Sequence, residues 1–321
     1  MSNFLVLHND VRMPSIGYGT YTMSGDELRT CLDTALQVGY RHIDTACIYN
    51  NEDIVGEVVS NWLTSGRLKR EELFITTKLP GYCHRKEDVE PALLESLQKL
   101  KLKYVDLYLI HSPMGLVRGT NGTYAKVNGQ VVVDVVNHLE TWKAMEDVYR
   151  KGLTRSIGLS NFNLLQMERI IGNCSIKPHN LQSECHIYWP QHELKAFCVK
   201  HKISFTAYGP LGAPYRQTPV EQGGKQSHIP LQDPVVQSIA SKLGRSPAQV
   251  LLKWLLQRQI AVIPRSRQEH RIRENFQLSD FTLDDSDMAA LSNVTTTCQL
   301  FQFVWAANHP DHPNTTLVQY F

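Results

Sequence analysis

Residues 41–50 read RHIDTACIYN. They follow the amphipathic run 27–37, whose helix is broken by Val38-Gly39. The stretch is apolar at its start, stops on Asp44, and presents Tyr49 five residues later in a loop. Two further predicted strands end on polar groups. Residues 73–77 (LFITT) end on Lys78, and 105–110 (VDLYLI) end on His111. In a parallel barrel, catalytic groups gather at the C-terminal ends of several strands. Neighbouring strands would therefore bring Asp44, Tyr49, Lys78 and His111 to one mouth.

These four residue types suit proton transfer. A free tyrosine has a pKa of about 10, too high for an efficient acid at neutral pH. A lysine ammonium nearby favours the phenolate, and an aspartate beside the lysine keeps it charged. A histidine orients a carbonyl or shares the proton. The set fits carbonyl reduction with Tyr49 as acid. None of the four is a source of electrons, so the hydride must come from a cofactor. Each residue alone is ordinary at a strand end; the four in successive β-units carry the argument together.

Outward from this stretch the alternation is regular. Helices are predicted at 26–38, 52–65 and 87–100, and strands at 41–44, 73–78 and 105–110. Such alternation signals parallel βαβ units, and six or more favour a barrel or a doubly wound sheet. Residues 3–14 read as a hairpin around Asn9-Asp10, suited to plugging one barrel end. The short strand 16–20 contains GYG, but no third glycine follows and no helix opens on it, so it is not a dinucleotide fingerprint.

Two long connections interrupt the rhythm, 114–137 and 213–231, and connections of this length are usually functional. The fifth strand ends on Ser160 and Asn161, which suit hydrogen bonds to an amide or a cap on the helix starting near Leu164. The sixth, 180–184, carries Gln182. The seventh ends on Tyr208, whose ring could stack on a flat ligand or simply pack. Beyond the eighth strand come Arg265, Ser266 and Arg267, then a short helix with Arg271, Glu274 and Asn275. A barrel's phosphate site often sits there. The tail 295–321 keeps Leu300, Phe301, Phe303 and Trp305 and reads as an apolar flap over a pocket or a packed terminus.

Composition narrows the class. The net charge of +2 gives no bias toward polyanions. No apolar run approaches the roughly 20 residues of a membrane span, and the N-terminus lacks the pattern of a signal peptide. The seven cysteines are scattered without a CxxC and read as reduced thiols in a cytoplasmic protein. Nothing suggests metal, nucleic-acid or membrane binding. One domain over 1–321 and a monomer are expected.

The motifs GYRHIDTACIYNNEDIVG (39–56), LFITTKL (73–79), LKLKYVDLYLIHSP (100–113), SIGLSNFN (156–163), QSECHIY (182–188), AYGPLG (207–212) and IPRSRQEHRIRENF (263–276) together resemble the aldo-keto reductases. The animal aldose reductase, aldehyde reductase and hydroxysteroid dehydrogenase branch is the nearest in pattern. The resemblance implies a (β/α)8 TIM barrel with an N-terminal hairpin, long loops at the C-terminal face and a tail over the pocket. It implies a tetrad of Asp44, Tyr49, Lys78 and His111, and an extended NADPH/NADP+ site. Ser160, Asn161 and Gln182 would hold the nicotinamide carboxamide, with Tyr208 stacked on its ring. Gly19, Thr20, Tyr21, Asp44, Gly209 and Leu211 would line the cofactor. Arg265, Ser266 and Arg271 would take the 2′-phosphate, with Glu274 and Asn275 near the adenine and Arg267 also on the cofactor. Tyr21, Tyr49, His111 and Ser112 would face a small-molecule carbonyl substrate.

The chain departs from the family pattern at the pocket. Tyr21, Pro80 and Ser112 stand where relatives usually carry tryptophan, Leu181 replaces an asparagine, and Gly209 replaces a serine. A wider or more polar pocket is expected, with a weak response to inhibitors that stack on those tryptophans. The substrate, whether sugar-like, lipid-derived or a keto- or ecdysteroid, is not read from the loops. A non-enzymatic, NADPH-binding structural or regulatory role is the other alternative.

Overall fold

A computed structural model describes residues 4–214 and 229–314. Eight parallel strands form one sheet in the order β12-β11-β10-β9-β6-β5-β4-β3. They are β3 (Gly17–Gly19), β4 (His42–Asp44), β5 (Phe74–Leu79), β6 (Leu107–Ile110), β9 (Ile157–Ser160), β10 (Asn180–Glu184), β11 (Ser204–Tyr208) and β12 (Ile260–Val262). The edges meet through a parallel bridge between Ile16 and Val262, and Val262 N donates to Ser15 O at 2.8 Å. This is the expected (β/α)8 barrel. The hairpin of β1 (Phe4–Val6) and β2 (Arg12–Pro14) is present as read. Its Leu7, Val11 and Met13 cluster with Phe74, Leu107, Leu109 and Ala261, which plugs the bottom of the barrel.

The helices α1 (Gly25–Val38), α2 (Glu52–Thr64), α3 (Lys86–Leu100), α4 (His138–Arg150), α5 (Leu164–Asn173), α6 (His192–His201), α7 (Pro234–Leu243) and α8 (Pro247–Gln257) cover the outside. Local chemistry sets their ends. Ser246 and Gln249 form a reciprocal cap with Pro247 at the first position of α8. Gly39 closes α1 at φ 120°, a conformation open to glycine. The main core lies between strands and helices, with Trp142 and Trp254 fully enclosed. Burying each such side chain contributes about 1.5–3 kcal/mol or more.

Three features depart from the reading. Lys78 lies inside β5, because the strand continues through Leu79. The 114–137 connection contains a small hairpin, β7 (Lys126–Val127) with β8 (Gln130–Val131), turned at Asn128-Gly129, both with positive φ. After α9 (Glu269–Phe276), a tenth helix, α10 (Asp285–Ser292), precedes the tail; its weak amphipathic pattern gave no signal. Of the second long connection, 215–228 lie outside the described residues, as do 315–321 of the tail.

Candidate active site

Strand register places the four polar strand-end groups together. Gly19, Asp44 and Thr76 sit side by side on β3, β4 and β5, and Lys78 is level with Leu109 on β6. Asp44 and Lys78 thus point inward from adjacent strands just below the rim. Lys78 Nζ donates to Asp44 Oδ1 at 2.6 Å and to Thr45 O at 2.8 Å, and lies 3.4 Å from the Tyr49 hydroxyl. Both charged side chains are enclosed, at 0% and 3% exposure, so removing either partner strands the other in low dielectric. Burial pulls the Lys78 pKa down; the adjacent Asp44 and the more distant Glu52 pull it back up.

His111 follows β6, with its ring 5.6 Å from that of Tyr49. Burial, with the Lys78 charge next, pushes its pKa well below the ordinary histidine value. His111 is therefore neutral at physiological pH and offers a hydrogen bond, not a charge. Its Nδ1 is buried without a hydrogen-bond partner among the described residues, and His111 lines the cleft.

One continuous cleft of about 1240 Å³ runs across the C-terminal face. Asp44, Tyr49 and His111 lie at its floor, with Lys78 directly behind. Ser160, Asn161, Gln182, Tyr208, Gly209 and Leu211 line its middle. Arg265, Ser266, Arg267, Arg271, Glu274 and Asn275 also line it, with Gly19 beside Arg265 and Tyr21 against Tyr49. Residues far apart in sequence are thus brought together almost as expected.

The middle of the cleft is an ordered amide network. Tyr208 donates its hydroxyl to Asn161 Oδ1 at 2.7 Å. Asn161 Nδ2 donates to His111 O at 2.8 Å and to Ser160 Oγ at 3.1 Å. Gln182 Nε2 donates to Asp44 Oδ2 at 2.8 Å, leaving its carbonyl oxygen as the acceptor for a ligand's amide N–H. The cap on α5 is Asn163 with Gln166, so Ser160 and Asn161 are released from the capping alternative. At the cationic end, Arg267 pairs with Glu27 at 3.2 Å. Arg271 is exposed and has no ion pair among the described residues. These donors suit the amide, ring and phosphate of an extended dinucleotide.

Besides Lys78, two assigned residues do not line the cleft. Thr20 is fully buried and its hydroxyl donates to Asp44 O at 3.0 Å. Ser112 is half-buried and does not line the cleft, whereas His111 does.

The pocket expected to be wider or more polar also carries apolar and aromatic groups. Tyr21, Ile48, Tyr124, Leu300, Phe301 and Trp305 are among the residues that line the cleft. Tyr124 from the 114–137 loop stacks on Trp305 from the tail, at 5.5 Å and 12°. Aromatic groups from loop and tail thus line the cleft. Tyr124 and Ile48 had no strand-end position to mark them. The tail residues were visible only as an apolar run.

The profile of the Aldo/keto reductase family matches residues 15–295. Aldo-keto reductase family 1 member A1 of Bos taurus is 43% identical over 290 residues, covering 89% of this chain and 87% of its own. The Homo sapiens protein of the same name is 42% identical over 291 residues, covering 90% and 88%. The solved structure of the aldose reductase from Schistosoma japonicum superposes with a TM-score of 0.91 at 40% identity, covering 98% of this chain and 99% of that one.

Proposed function

This chain belongs to the aldo/keto reductase family, and from that premise we propose that it reduces an aldehyde or ketone to the alcohol with NADPH, Tyr49 acting as general acid. The observation that carries the reading is Lys78 Nζ, held 2.6 Å from Asp44 Oδ1 and 3.4 Å from the Tyr49 hydroxyl, at the floor of the cleft. The reduced nicotinamide supplies the hydride when bound. Tyr49 transfers its proton to the carbonyl oxygen, and the Lys78 ammonium stabilises the phenolate left behind. Neutral His111 orients the same oxygen through Nε2. Asp44 keeps Lys78 charged and in place.

Ser160, Asn161 and Gln182 would hold the carboxamide and Tyr208 the ring. Arg265, Ser266, Arg267 and Arg271 would hold the 2′-phosphate; an exposed Arg271 with no ion pair among the described residues favours NADPH over NADH. The aromatic substrate end supports carbonyls on flat apolar skeletons, ketosteroids included. The reading includes a monomer and a cytoplasmic location, the latter supported by the seven free cysteines. Among the described residues no helix is long and apolar enough to cross a membrane.

The test is NADPH oxidation over a panel of aliphatic and aromatic aldehydes, aldoses and ketosteroids, run with Tyr49→Phe alongside. Turnover by the wild type and its loss in Tyr49→Phe, with NADPH still quenching intrinsic fluorescence, is the expected result. Near-wild-type rates in Tyr49→Phe would remove Tyr49 as the acid. No turnover on any class would remove the reductase reading.

A further inference from the structure

Glu184, the last residue of β10, has no role in the chemistry above, yet it is a carboxylate only 2% exposed. Its Oε1 accepts from His186 Nε2 at 2.9 Å and from the backbone N–H of Leu300 at 2.7 Å. Its Oε2 accepts from the backbone N–H of Phe301 at 3.0 Å. His186 Nδ1 accepts from Tyr188 N at 3.3 Å, so Nε2 carries the proton that Glu184 receives. The carboxylate is therefore surrounded by donors.

The tail it holds has no ladder of its own: residues 294–299 adopt neither helix nor strand, and Leu300 and Phe301 are likewise irregular. One additional tie is Cys298 N to Tyr188 O at 2.9 Å. The clamped residues then reach the cleft. The Phe301 ring stands edge-on to Tyr208, with centroids 5.0 Å apart at 90°. It also packs against Gly209, where a Cβ would come within 3.3 Å of Phe301 Cε2. Gly209, at φ 60°, replaces the serine usual at this place, so the departure noted in the sequence makes room for this ring.

We propose that Glu184 is a positioning residue: its buried carboxylate clamps the tail backbone at Leu300 and Phe301 and so holds the Phe301 ring on Tyr208 as a fixed wall of the substrate end. The consequence for substrates rests on the reductase reading; the clamp itself does not. A fixed wall matters for a bulky carbonyl that must lie against it, and little for a small one that touches only Tyr49 and His111.

Glu184→Gln tests this without changing shape. Whichever way the amide is turned, one of the tail N–H groups or His186 meets a second donor. Hydrogen exchange of the Leu300 and Phe301 amides should accelerate about 10-fold, the scale of one charge-assisted hydrogen bond. KM for a bulky aromatic aldehyde should rise about 10-fold on the same scale, while kcat and the NADPH Kd stay within about threefold. Unchanged exchange at both amides overturns the clamp. An equal KM rise for propanal and the bulky aldehyde overturns the wall. Should Glu184→Gln fail to fold, Phe301→Ala takes its place: it should raise KM for the bulky aldehyde selectively, and wild-type KM there overturns the proposal. A wild type that reduces no carbonyl defeats the reductase reading instead, and amide exchange still decides the clamp.

Discussion

Gln182 Nε2 donates to Asp44 Oδ2 at 2.8 Å, while the other oxygen of the same carboxylate holds Lys78 at 2.6 Å. A residue assigned to the cofactor amide is thus joined through one carboxylate to the lysine beside the acid. Removing the amide leaves a buried charge short of a donor, at a cost of about 1.5–3 kcal/mol. Gln182→Leu should therefore weaken NADPH binding and lower kcat together, by about 10-fold or more each. Fluorescence titration and steady-state kinetics separate the two. A raised Kd with kcat untouched would show that the link to Asp44 carries no catalytic weight.

The alkaline limb of the pH profile should report Lys78. Its ammonium is the active form, and burial lowers its pKa from the ordinary lysine value, so activity should fall earlier on the way up than for an exposed lysine. Asp44 opposes that shift. Asp44→Asn should move the limb further toward neutral pH and reduce kcat by roughly 10- to 100-fold. On the acid side, His111 is neutral throughout the physiological range, so its protonation should produce no limb near the ordinary histidine pKa. A kcat/KM profile recorded with one carbonyl substrate covers both claims; a limb centred near 6.5 that vanishes in His111→Asn would contradict the second.

The sequence carried more of the catalytic floor than of the walls, for a physical reason. Asp44, Lys78 and His111 sit at or near strand ends, where the period of β-structure fixes which way a side chain points. Tyr49 followed because it lies five residues past one of those ends. Tyr124, Phe301 and Trp305 come from segments without periodicity, and their positions depend on contacts such as Tyr124 on Trp305 and Glu184 on the tail backbone. The three tryptophans missing from the motifs therefore gave no sign of these aromatic groups. The same limit applies to Gln182: its strand position was readable, its bond to Asp44 was not.

Arg271 should govern the choice of dinucleotide. It is exposed at the cationic end of the cleft, with no ion pair among the described residues to compete. Arg271→Ala should raise the NADPH Kd about 10- to 100-fold, the range of one or two charge-assisted hydrogen bonds, and leave NADH binding almost unchanged. Titrations with both nucleotides at fixed ionic strength give the comparison. Equal losses for both would move the 2′-phosphate contact to other arginines.

Acid should destabilise the fold through its buried histidines. Burial holds His42, His138 and His179 down to about 4 and His84 to about 3. The unfolded chain takes up these protons near 6.5, before the folded chain does. Stability is therefore complete above about pH 6.5 and falls as pH drops toward those folded values, by up to about 1.4 kcal/mol per pH unit for each histidine. His84 is the informative one, because both its ring nitrogens are buried without hydrogen-bond partners among the described residues. His84→Phe removes two unsatisfied polar atoms and one proton site. It should unfold at a Tm no lower than the wild type at pH 7, and should lose less between pH 7 and pH 5. Thermal melts across that range measure the slope, and a variant as acid-sensitive as the wild type would show that His84 does not take up its proton on unfolding.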